Sequence, residues 1–115
     1  MSKAKEQLLR RSDGILLPRW PELAEANRKL IEALFDLDYS YFLSHAHPVM
    51  RVPGYQGIIV FGYDEERKRY TADLEKTPLG SGVVRISFEL PDLVTVIREI
   101  LSEAPNHLTT EVPRF

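Results

Sequence analysis

GIIVFGYDEERKRYTADLEKTPLGSGVVRISFEL, residues 57–90, is the stretch on which the fold turns. Ile58, Ile59, Val60 and Phe61 run without a polar break between glycine and charge, the pattern of a strand buried on both faces. DEERKR is charged throughout and reads as a turn. In RYTADLE, Tyr70, Ala72 and Leu74 alternate with Arg69, Thr71 and Asp73. KTPLGSG, with Pro78, Gly80 and Gly82, is a second turn. VVRISFEL then sets Val84, Ile86, Phe88 and Leu90 on one face and Val83, Arg85, Ser87 and Glu89 on the other. Two short connectors between three such runs predict an antiparallel β-meander at about 57–63, 69–75 and 83–90.

Helical periodicity flanks the meander. Upstream, a helix at about 21–37 opens on Pro21, where a missing N–H is harmless, and repeats Leu23, Ala26, Leu30, Ile31, Leu34 and Leu37 on one stripe. Downstream, a helix at about 92–104 carries Leu93, Val96, Ile97, Ile100, Leu101 and Ala104, with Asp92 at its start and Pro105-Asn106 as its expected stop. The sum is an α+β domain with helices on at least one sheet face. The doubly apolar IIVF implies a central strand, or a sheet covered on both faces.

The remaining segments are less regular. KAKEQLLRR fits a short polar helix that Ser12-Asp13-Gly14 is expected to end, with ILLPRW as an extended connector. YSYFLSHAH, residues 39–47, suits a strand by alternation and a helix by continuation; Pro48, Pro53 and Gly54 read as loop. The chain is expected to be a single domain, 1–115, with loose ends at 1–13 and 106–115.

Composition narrows the function. With 115 residues, 43% hydrophobic and 28% charged, the chain supports one stable core. A net charge of −2 and a pI near 5.9 provide no general basic excess for nucleic acid. Arg67, Lys68, Arg69 and Arg85, with Tyr63 and Tyr70 for base stacking, are diluted by Asp64, Glu65 and Glu66. Cysteine is absent, which removes disulfides, thiolate metal sites and cysteine nucleophiles. The N-terminus has no apolar signal core, and no run approaches the ~18 apolar residues of a membrane span. A cytoplasmic location without membrane contact is expected.

Several motifs suggest chemistry and lose it on inspection. His45-Ala46-His47 resembles the start of the H-x-H-x-D-H signature of the metallo-β-lactamase superfamily. Val49 and Met50 stand where that family has its aspartate and third histidine, and the chain is too short for its core. On a strand the two rings share a face and are candidate zinc ligands; on a helix they diverge. Glu66-x-Lys68 has the E-x-K spacing of a nuclease half-site but lies in a charged turn. Asp73 and Glu75 share one strand face, as acid–base pairs do and as solvated strands also do. Gly80 and Gly82 lack the rest of a phosphate loop, and Ser81 lacks a nucleophile elbow.

These observations imply a non-enzymatic protein, without a cofactor, that docks a protein partner as immunity (toxin-neutralising) proteins and chaperones do. The expected contacts are Trp20, Tyr39, Tyr41, Arg51 and Tyr55, with Phe42 nearby, because Trp, Tyr and Arg dominate interface hot spots. Asp64, Glu65, Glu66, Asp73 and Glu75 are the acidic candidates for a basic cleft. The alternatives are a small metal-dependent hydrolase or nuclease built on His45 and His47, and a subunit of a larger assembly, with a homodimer through a free sheet edge as one form.

Overall fold

The computed structural model describes residues 3–37, 41–76 and 81–110. The meander is present and is longer than the alternation implies. Two helices, α1 (Lys3–Leu16) and α2 (Pro21–Phe35), precede five strands: β1 (Tyr41–Ser44), β2 (His47–Arg51), β3 (Gly57–Asp64), β4 (Arg69–Lys76) and β5 (Ser81–Phe88). A 3-10 turn at Leu90–Asp92 leads into α3 (Leu93–His107). All neighbouring strands are antiparallel, in the order β1-β2-β3-β4-β5. The α+β class holds, the sheet has five strands among the described residues in place of three, and β3 is central. Part of the second turn, residues 77–80, lies outside the described residues.

The two extra strands come from the segment that fitted both strand and helix. Ser44 pairs with His47 across a two-residue turn, His45-Ala46. His45 takes φ 58, the left-handed region that hairpin turns require and that glycine or asparagine usually fills. The turn is held from outside: the Asn27 side-chain amide donates to the Ala46 carbonyl at 2.6 Å and to Ser12 Oγ at 2.6 Å, and Ala46 is buried among Leu16, Leu23 and Ala24. Pro48, expected in a loop, is inside β2. It lies opposite Leu43, and pairing with β3 begins only at Val49, so no ladder bond needs its missing N–H. Pro53 and Gly54 do turn the chain: Gly54 has φ 78 and Tyr55 N–H donates to Val52 O, a type II turn.

The helix ends also depart from the local signals. α1 runs through Ser12-Asp13-Gly14, because tertiary partners outweigh a glycine cost of about 1 kcal/mol. Ser12 is fully buried against Asn27, Asp13 accepts from Arg28 Nη2 at 2.6 Å, and Leu16 packs beyond them. The expected ILLPRW connector therefore begins only after Leu16. α2 stops at Phe35, two residues before the expected 37. α3 passes Pro105 to His107: only its last turn lies beyond the proline, and Leu108 N–H closes onto Ala104 O at 2.8 Å. Asp92 stands at the N-cap position without a side-chain cap bond. The first part of the tail is tied down: Gln56 N–H donates to Thr109 O, and Tyr55 bridges Thr110.

One face of the sheet supplies the core. Met50, Ile59, Phe61, Tyr70, Ala72, Leu74 and Phe88 pack against Ala26, Leu30 and Leu34 of α2 and Val96, Ile97, Ile100 and Ala104 of α3. α1 packs on α2 and on β1 through Leu9, Ile31 and Leu43. Gly57 is where Leu108 closes on the sheet; an added Cβ there overlaps the leucine side chain.

Candidate functional site

Strand alternation sends every second side chain to the other face, where none of the three helix-packed clusters reaches. Antiparallel register arranges this uncovered face in cross-strand rows. The first row is Arg51–Ile58–Glu75; the second is Phe42–Val49–Val60–Asp73–Arg85. The third carries Ser44 and His47 on the β1–β2 side and Gly62, Thr71 and Ser87 on the other. Phe42, Val49, Ile58 and Val60 thus form an apolar strip over β1–β3, with charge gathered over β4–β5. Phe42 is 42% exposed although it is a large aromatic. Val49 is buried, 2% exposed, so the accessible apolar surface is that of Phe42, Ile58 and Val60.

The charges on this face differ in their commitments. Asp73 and Arg85 form a bidentate pair, Nε–Oδ1 2.7 Å and Nη2–Oδ2 2.8 Å, which holds the guanidinium still more firmly protonated. Arg51 has no carboxylate partner among the described residues and lies 5.8 Å over the Phe42 ring. Glu75 likewise has no ion pair there. A depression of 340 Å³ opens between Phe42, His45, His47, Ile58, Val60 and Glu75, and Gly62 leaves a second hollow beside it.

The expected contact residues distribute unevenly. Arg51, Asp73 and Glu75 come together on the uncovered face, beside Phe42 and His47. Tyr41 belongs to β1 but points toward the helices and packs against the main core. Its hydroxyl is buried without a hydrogen-bond partner among the described residues, and burial, then Asp36, raises its pKa. Tyr55 joins the core beside the type II turn. Trp20 is 46% exposed just before α2, away from the strands of this face. Asp64 Oδ1 accepts from the N–H groups of Glu66 and Arg67, so Asp64, Glu65 and Glu66 build the β3–β4 turn away from Glu75. Tyr39 lies outside the described residues. His45 and His47 line one depression, but His45 sits on the turn and His47 on the strand. No group of three or more metal-ligating side chains forms among the described residues.

Sequence reasoning missed the strip itself, Val49, Ile58 and Val60, together with the Arg85 tie to Asp73. Its signal was the second periodicity within an apolar run, which reads identically for a sheet covered on both faces.

A larger cleft of 530 Å³ lies between α2 and the β3–β4 turn, lined by Glu22, Glu25, Lys29, Tyr63, Lys68 and Glu89. Its groups are already engaged: Lys68 with Glu22 at 3.3 Å, Lys29 with Glu25 at 3.7 Å, Glu89 with Arg69 at 3.8 Å. Its wall is closed by Tyr70, whose hydroxyl donates to Ala26 O. The uncovered face, with uncommitted charge beside exposed apolar surface, is the stronger candidate. Among the described residues no helix is long and apolar enough to cross a membrane. No family model, curated protein or solved structure matches the chain.

Proposed function

We propose that this protein works by docking a folded protein on the uncovered face of its sheet. The observation that carries the reading is the strip of Phe42, Ile58 and Val60 around the buried Val49, which no helix among the described residues covers, flanked by Arg51 and Glu75 without ion partners among those residues. Covering apolar surface stabilises a complex by roughly 25 cal/mol per Å² before association costs, and flanking charges set orientation and reject wrong partners. The matching surface is apolar opposite β1–β3, with an acid opposite Arg51 and a base opposite Glu75. Toxin neutralisation and chaperoning are two uses of such a face. For the first, Asp73 and Glu75 are the acids on the docking surface, whereas Asp64, Glu65 and Glu66 belong to the turn.

A photo-cross-linking amino acid at position 42, in cells that naturally make the chain, tests this reading. A discrete protein adduct from position 42, and none from exposed Arg98 on α3, is the expected outcome. Equal labelling from both positions, or no adduct from position 42, contradicts it.

A further inference from the structure

The rows of the uncovered face have an internal relation that a partner search alone does not reveal. β2 and β4 flank the central strand, and in the first row they present Arg51 and Glu75 on either side of Ile58. A twofold axis lying in the plane above the face and running along β3 keeps each row in place and exchanges its two sides. Arg51 of one copy then lies over Glu75 of the other, twice. Ile58 meets Ile58 and Val60 meets Val60 on the axis. Phe42 falls over Arg85, a cation on an aromatic face, and His47 over Thr71. No like charges oppose one another. Val49 falls over Asp73, which keeps its pair with Arg85. An axis across the strands through the second row instead stacks Asp73 on Asp73 and Arg85 on Arg85, so of the two the charge pattern favours the first.

Resting on the docking reading above, we propose that the occupant of this face is a second copy of the chain, in an isologous face-to-face sandwich about an axis along β3. Such a pair falls within the aligned packing of two twisted sheets, about 10 Å apart with mean strand directions within about 30° of each other. The footprint agrees with a modest association. Five strands at about 4.8 Å and three rows give roughly 24 by 20 Å per copy. That buries on the order of 1,000 Å² in total, the lower end for specific complexes. A weak, reversible dimer is expected. Dimerisation through the face leaves the β5 edge unpaired, which separates it from pairing through a free sheet edge.

Sedimentation velocity of the full chain, from low micromolar to several hundred micromolar, tests the proposal. Wild type is expected to pass from monomer to dimer. Arg51→Glu and Glu75→Arg each weaken the dimer by at least about tenfold, because each places like charges at both symmetry-related contacts. The double variant R51E/E75R returns to within about threefold of wild type, since the pair is restored with its signs exchanged. Arg51 is exposed at the end of β2, so R51E alone decides should E75R fail to fold. A wild type that stays monomeric, a dimer indifferent to R51E, or a folded double variant without rescue overturns the proposal. A monomeric chain that still cross-links another protein from position 42 removes the second copy and keeps the docking reading; a monomer with no such adduct removes both.

Discussion

On one side of β3, Ile59 and Phe61 are at zero exposure beneath α2 and α3. One residue away, Ile58 and Val60 face outward with no helix above them among the described residues. The same four-residue run therefore serves two purposes, one holding the chain together and the other presenting apolar surface to something else. The difference shows what a continuous apolar strand encodes: two faces that avoid water, and not the identity of the cover on each. On the helix side the cover lies within the chain; on the other side the proposed cover is a protein surface.

This contrast breaks first if the two faces carry similar weights in folding. Phe61→Ala is expected to cost about 4 kcal/mol in urea unfolding, the range for a buried aromatic in a core. Val60→Ala, next to it, is expected to cost about 1 kcal/mol or less in the monomer. Equal losses at the two positions contradict the assignment of faces.

Asn27→Ala comes next. It leaves Ser12 Oγ and the Ala46 carbonyl buried without their donor, and a loss of about 2 kcal/mol in thermal unfolding is expected. Faster amide exchange confined to the β1–β2 hairpin shows that this amide holds the turn bordering the uncovered face; unchanged hairpin protection shows that it does not.

Tyr70→Phe sharpens the helix side through pH. The Tyr70 hydroxyl donates to Ala26 O, and removing it costs about 1 kcal/mol at neutral pH. Burial, then Tyr63 and Glu25, raises the Tyr70 pKa above its ordinary 10.0; burial and Asp36 raise that of Tyr41. Above pH 10 the folded chain keeps protons that the unfolded chain has lost. This contribution to stability is therefore full below the ordinary value and falls as pH climbs through the folded values. Unfolding titrations between neutral and strongly alkaline pH are expected to decline less steeply in Y70F than in wild type.

The smallest effect has the opposite sign. His45→Gly relieves the positive φ at the hairpin tip and is expected to raise the unfolding free energy by about 0.3 kcal/mol, read as a higher urea midpoint. A lowered midpoint means that the His45 side chain supplies more than the turn strain costs.

Where pattern is local, the sequence is legible. The alternation of Tyr70, Ala72 and Leu74, the Val52-Pro53-Gly54-Tyr55 turn and the α2 stripe all read directly. What escapes is set at a distance. The β1–β2 turn uses His45-Ala46 in place of Asn-Gly and is fixed by Asn27, nineteen residues before Ala46. α1 continues through Ser12 because its partner is that same amide on α2. Pro48 is tolerated because β3 pairing starts one residue later. For the site, Arg51, Asp73 and Glu75 stood out by residue type and Phe42 by its aromatic neighbours. Their gathering on one face needed the register of five strands, and Tyr41 faces the core for the same reason.

The central claim is that the uncovered face associates and does not hold the fold. Sedimentation of Val60→Lys, at a concentration where wild type is dimeric, tests it most directly. Val60 lies on the proposed axis, so two ammonium groups are forced together at the centre of the contact, while the lone chain needs only to point one lysine into water. The account predicts a monomer that keeps the wild-type circular dichroism spectrum. A dimer that persists unchanged, or a chain that unfolds, contradicts it.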